Sequence, residues 1–347
     1  MKTTVDYITK LANIPSPTGY TSHIMNYVIA ELESFGYAPV RTNKGGVMVT
    51  VTGKDDSKHR VVTAHLDTLG AMVRAVKPDG RLKMDLIGGF VYNAIEGENC
   101  TIHVAKNGKK ISGTILMHQT SVHVYKDAGT AERNQANMEI RLDEKVTNEK
   151  ETRALGIEVG DFISFDPRVV VTESGSSNHV TWMTKYQQPF SLNYSKNTKL
   201  KISLCHTQLT STSQLSKNSV TVLTQAFQLQ QSNTFQLIWE QWVMTNKQMN
   251  TAFQSASKTV LGLITSNFAK HLVALAEENK IPYKLDIYPY YGSDASAALR
   301  AGAEVKHALF GAGIESSHSY ERTHIDSVQA TEHLVDAYLK AQLWNND

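Results

Sequence analysis

The sequence predicts an α/β fold in which a discontinuous sheet-and-helix domain is interrupted by an inserted β domain. Three observations predict it. Two amphipathic helices followed by short β-type runs open the chain, hairpin punctuation with little helical periodicity fills Leu69 to Phe165, and the last third returns to alternating helix and strand. At 347 residues, 41% of them hydrophobic, the chain can build a large core and an insertion as well.

The elements follow in order. Residues 3–14 read as a helix stopped by Pro15, and Thr21 can cap a second helix whose apolar face is Ile24, Val28, Leu32 and Phe35, with Gly36 just past its end. Strands are expected at Val40 to Thr42, at Val47 to Thr52 after the Gly45-Gly46 turn, and at Val61 to His65. In the inserted region, Pro78-Asp79-Gly80 and Asn107-Gly108 mark hairpins. The C-terminal third reads as a helix near 270–280, a strand around 284–289, a short helix after Ser293, a strand around 307–311, and a helix from Thr331 to Leu343. Residues 1–68 and 166–347 would form the α/β domain and residues 69–165 the inserted β domain.

Bulk properties exclude several classes of partner. With 35 basic against 33 acidic residues and no long basic run, neither a nucleic-acid nor a membrane footprint is expected. The two cysteines, Cys100 and Cys205, stand far apart in no metal-type spacing, which fits a reducing compartment. No apolar stretch reaches the length of a signal h-region or a membrane span, so a cytoplasmic location is expected.

The chemistry starts at His65-Leu66-Asp67, at the end of an expected strand. Residues two apart in a strand face the same side, so the carboxylate can reach the imidazole. An Asp in that place can orient a metal-binding His and raise its basicity. Alone, the pair is a weak signal, since a lone histidine is more often structural than a metal ligand. Further along, His318 and His324 both fall in SSHSYERTH, while His118 and His123 lie in a strand-like run of the insertion and read as structural or as an oligomer contact. Tyr288, Tyr290 and Tyr291, like the cysteines, read as packing or pocket wall.

Context decides among these readings. The landmarks IPSPTG, NKGG, AHLDTLGAMV, DLIGGF, GTILMHQTSVHVY, GIEVGDFISFDP, YPYYGSDASAA and SSHSYERTH run through residues 1–175 and 269–347. Jointly they resemble the tetrahedral (glutamyl/deblocking) aminopeptidases, a family of dinuclear metallopeptidases. The resemblance implies a metallopeptidase sheet-and-helix core of α/β class with an inserted β-barrel-like domain. It also implies two divalent metal ions per subunit, zinc or cobalt, and homo-oligomers, dodecamers of tetrahedral shape, that admit peptide substrates. On that basis His65 is a ligand of one metal and His318 of the other, Asp67 joins the catalytic set by orienting His65, and Asp294 lies near the substrate or its amino group.

Residues 176–268 depart from the rest. They hold one acidic residue, Glu240, no arginine and one glycine, Gly262, together with Trp182, Trp239 and Trp242. Disordered segments are usually charged and poor in aromatics, and this one is the reverse. A two-metal site needs bridging and terminal carboxylates and a general base. The family's Leu-Asp-Asp, Glu-Glu and Val-Asp-Met-Gly motifs are absent here. They return in another reading frame. Trp182-Met183-Thr184, read from the last base of each codon, must encode Asp-Asp, because Trp and Met have single codons. The same offset permits Glu-Glu across Ser216-Lys217-Asn218, and forces both glycines of Asp-Met-Gly-Ala-Met-Gly-Asp across Leu237 to Met244. Two compensating frameshifts near Ser176 and Phe268 are therefore expected.

The function implied is metal-dependent removal of N-terminal residues from peptides, impaired in the chain as written. The rival expectation is a catalytically dead relic or a non-enzymatic scaffold that keeps the β domain. A two-metal carboxypeptidase or deacylase is disfavoured by an insertion placed just after His-x-Asp, and a glycosidase by the metal-type context.

Overall fold

The computed structural model describes residues 4–51, 59–180, 199–205, 253–259, 262–263, 266–288 and 306–341. Helix α1 (Thr4–Ala12) buries Ile8, Leu11 and Ala12, and α2 (Ser22–Ser34) buries Ile24, Met25, Val28 and Leu32. Each such fully buried aliphatic side chain stabilises the fold by about 1.5–3 kcal/mol. Phe35 does not continue that face. The helix has already ended there, Gly36 turns the chain at φ +81°, and Phe35 remains partly exposed. Thr21 occupies the N-cap position without a side-chain capping hydrogen bond.

Strands β1 (Val40–Arg41) and β2 (Val47–Val51) form a hairpin whose turn is closed by the Gly46 carbonyl accepting from the Thr42 amide at 2.8 Å. Strand β3 (His59–His65) belongs to the same four-stranded sheet. The chain then enters a closed barrel of β4 (Gly70–Val76), β5 (Leu82–Ile87), β6 (Asn99–His103), β7 (Lys110–Met117), β8 (Met138–Leu142) and β9 (Phe162–Phe165). Both expected hairpin turns are present, with Gly80 at φ +81° and Gly108 at φ +70°, conformations glycine adopts without strain. Alternating residues of the strands fill the interior, among them Ile102, Ile115, Ile140 and Ile163. A short helix, α3 (Glu149–Ala154), was not expected in this region. Asn148 caps it by accepting from the Glu151 amide.

Beyond the barrel, β10 (Val170–Val171) and β11 (Ser176–Val180) lead into the compositionally odd segment. Further stretches of it join other sheets: β12 (Lys199–Cys205) lies between β2 and β3, parallel to β3, and β13 (Phe253–Thr259) pairs with β14 (Gly262–Leu263). Helix α4 (Ser266–Glu278) and β15 (Tyr283–Tyr288) match the expected helix and strand, and β15 runs parallel to β13. The expected helix after Ser293 lies outside the described residues. Strand β16 (Leu309–Ala312) pairs antiparallel to β13, and β17 (Tyr320–His324), which was not expected, pairs with β11.

The last helix, α5 (Ile325–Lys340), starts well before the expected Thr331 because His324 caps it. Helices α1, α2, α4 and α5 cover β2, β3 and β16 in one apolar core built from Ile24, Leu32, Val49, Leu272, Phe310 and Leu334 among others. This core and the barrel interior are separate clusters, and the chain crosses between them at residues 66–70 and 165–170.

Candidate metal centre at the end of β3

His65 is the last residue of β3 and is 5% exposed, and Asp67 just beyond it is 3% exposed. The Asp67 Oδ1 lies 3.1 Å from His65 Nδ1, and the Asp67 carbonyl lies at the same distance from that nitrogen. The contact expected from the sequence is present, but strand alternation is not its cause, because β3 ends at His65. A strap from the N-terminal segment is. The Thr18 hydroxyl donates to Asp67 Oδ2 at 2.6 Å and the Ser16 hydroxyl to the Leu66 carbonyl at 2.9 Å. The Thr68 amide donates to the Ser16 carbonyl at 2.7 Å, completing a short parallel bridge between Pro17 and Thr68. Pro15 and Pro17 cannot extend α1, so the segment is free to run beside residues 66–68. Gly70 admits the strap: a Cβ there would stand 2.7 Å from the Pro17 ring.

His318 comes from the other end of the chain, on a loop closed by reciprocal backbone hydrogen bonds between Glu315 and Arg322 of 2.8 and 3.0 Å. Its backbone is left-handed, φ +65°, a conformation uncommon for a residue with a Cβ. Burial and, to a lesser extent, the nearby His65 together lower its pKa to about 4, against a hydrogen bond to the Gly89 backbone on the loop after β5 that acts in the opposite sense. The imidazole is therefore neutral at neutral pH. Two imidazoles from distant parts of the sequence are thus near enough to interact electrostatically, and each has its ring engaged by an oxygen acceptor. This is the arrangement that fixes the tautomer of a metal-binding histidine.

The other expected positions sort differently. Asp294, Tyr290 and Tyr291 lie outside the described residues. His324 is a structural residue. Its Nδ1 accepts from the Asp326 amide at 3.2 Å, which caps α5, and its Nε2 donates to the Ser174 carbonyl at 2.7 Å. His118 and His123 are not in a strand, since β7 ends at Met117, and both are exposed on the loop that follows. Cys100 is buried in the barrel, and burial raises its thiol pKa, so it stays protonated. Among the described residues, no group of three or more His, Cys, Asp or Glu side chains is placed to hold a metal ion. Sequence reasoning missed Ser16, Thr18, Gly89 and Glu321. The IPSPTG and DLIGGF landmarks were visible, but nothing in their spacing shows what they touch.

Comparison with known proteins bears on the family and the fold. Residues 45–181 and 247–334 match the model of the M42 glutamyl aminopeptidase family. The chain is 44% identical over 355 aligned residues to the "Putative aminopeptidase YhfE" of Bacillus subtilis (strain 168), covering 99% of both sequences. The TET aminopeptidase from the marine sediment archaeon Thaumarchaeota archaeon SCGC AB-539-E09 superposes with a TM-score of 0.78 at 15% identity, over 98% of this chain and 96% of that one. The Pyrococcus horikoshii TET1 peptidase, described as assembling into a tetrahedron or a large octahedral shell, superposes with a TM-score of 0.75 at 16% identity, over 97% of this chain and 99% of that one.

Proposed function

The chain belongs to the M42 glutamyl aminopeptidase family, and from that premise we propose that it is built as a metal-dependent enzyme that removes N-terminal residues from peptides, impaired in the chain as written. The observation that carries the metal reading is the proximity of His65, which is buried, to His318, which is half-buried, each held by an oxygen acceptor. They suit zinc or cobalt as one ligand each, since neutral imidazole binds both metals. Two imidazoles are not a complete ligand set. A divalent metal bound here would polarise the scissile carbonyl and lower the pKa of water at neutral pH.

The chain's own residues supply the positioning. Asp67 fixes the orientation of His65, Thr18 fixes Asp67, and Gly89 holds His318 from the barrel side. Asp294 is proposed to meet the substrate's amino group. A homo-oligomer, a dodecamer by family likeness, and a cytoplasmic location complete the reading. Among the described residues no helix is long and apolar enough to cross a membrane.

The impairment rests on the segment between the two parts of the family match. Residues 182–246 fall outside that match, and they lie within the stretch whose alternative frame forces Asp-Asp and permits the family's other carboxylate motifs. The second reading, a catalytically dead relic or scaffold, rests on the same gap.

One experiment separates them: metal content and aminopeptidase activity are measured side by side on the chain as written and on a version with 176–268 recoded. The expected outcome is that only the recoded protein binds about two metals per chain, as a two-metal site requires, and cleaves peptides. Equal activity in both would overturn the frameshift reading, and inactivity in both would favour the scaffold.

A further inference from the structure

Glu321 stands in β17 with no exposed surface, three residues past His318 and outside the set that would bind metal. A buried carboxylate is retained only where something repays its loss of water. Here its Oε1 accepts the His318 backbone amide at 3.1 Å. That bond closes the inside of the loop between Glu315 and Arg322, in which both Ser316 (φ +57°) and His318 (φ +65°) hold left-handed backbone. Left-handed residues with a Cβ persist only where their surroundings enforce the conformation. The Ser319 amide, donating to the Ser316 carbonyl at 3.0 Å, enforces it at Ser316, and Glu321 does so at His318. With the main chain fixed there and the ring held by Gly89, the remaining ring nitrogen of His318 has one direction in which to point.

We propose that Glu321 is a positioning residue. Its carboxylate sets the backbone of the His318 loop, and through it the aim of the imidazole toward His65. The inference rests on the metal reading only for its consequence, since the clamp itself exists without metal. Because Glu321 acts on the amide, an acceptor at its end is what matters, and a formal charge is not required.

The test uses the full chain and two substitutions. Glu321→Met fills the same space without an acceptor, and Glu321→Gln keeps one. Two quantities are read: hydrogen–deuterium exchange at the His318 amide in the chain as written, without metal, and cobalt affinity by titration of the version recoded over 176–268. Glu321→Met should speed exchange at His318 at least about tenfold, an opening that follows loss of a charge-assisted hydrogen bond. It should also weaken cobalt binding by about 10–100-fold, the usual cost of losing a residue that orients a ligand. Glu321→Gln should restore both.

Unchanged exchange in Glu321→Met, or exchange in Glu321→Gln as fast as in Glu321→Met, overturns the proposal. If the recoded chain without either substitution binds no cobalt, the metal reading fails, and the exchange experiment alone decides the role of Glu321. Circular dichroism on both variants shows that the fold is intact, and global loss of protection confined to Glu321→Met leaves Glu321→Gln against the unaltered chain as the deciding pair: faster exchange at His318 alone overturns the acceptor role, and unchanged exchange supports it.

Discussion

At the scale of single residues, the site is a set of short polar bonds that hold two imidazoles still. The bond from Thr18 to Asp67 is the one most easily tested. Thr18→Val keeps the shape and removes a hydroxyl that donates to a buried carboxylate at 2.6 Å. Hydrogen bonds to charged groups contribute about 1.5–3 kcal/mol, so the unfolding free energy in urea should fall by that amount. His65 and Asp67 were legible in the sequence because their contact is local and their neighbourhood is distinctive. His318 was legible only through the resemblance, since nothing within SSHSYERTH separates it from His324. The roles of Thr18, Gly89 and Glu321 were not legible. Each depends on which distant backbone group lies within reach, and that is a property of the folded chain.

At the scale of elements, α1, α2, the first three strands, the barrel hairpins, α4 and β15 were readable from periodicity and turn residues. Three misses have physical causes. Strand β17 is YERTH, whose polar residues hide the period, because Glu321 and Thr323 are buried for their hydrogen bonds and not for apolar area. Helix α5 begins at Ile325 because a histidine caps it, which is not among the preferred capping residues. Helix α3 is too short to show a period. The cap gives a prediction: His324→Ala should destabilise the protein by about 1 kcal/mol, the usual cost of losing an N-cap, measured by chemical unfolding. If α5 stability were unaffected, His324 would be free for another task.

At the scale of the molecule, the core of the sheet domain and the core of the barrel are joined by the strap, by Tyr20 packed 4.5 Å from the His103 ring, and by the bond from His318 to Gly89. His103 gives this junction a pH dependence. Burial lowers its pKa from 6.5 to about 4, with Lys110 and His23 adding to the effect. Below pH 6.5 the unfolded chain takes up the proton first, so the stabilisation is complete above that pH and is lost as pH falls toward 4. Glu139 extends the loss further. Burial alone would raise its pKa, but hydrogen bonds from Lys77 and Arg81 prevail and lower it, so its contribution fades below about pH 4.5. Glu98 and Glu332, raised by burial, work in the opposite sense. Melting temperature followed from pH 7 to 4 should fall less in His103→Gln than in the unaltered protein, and parallel curves would exclude His103 as a source of acid sensitivity. The bond between His318 and Gly89 also has a consequence in time. Synthesis proceeds at about 5–20 residues per second, so roughly 8–30 s pass between completion of the last barrel strand at Phe165 and arrival of His318. During that interval the nascent chain carries the barrel strands and His65 but not the second imidazole.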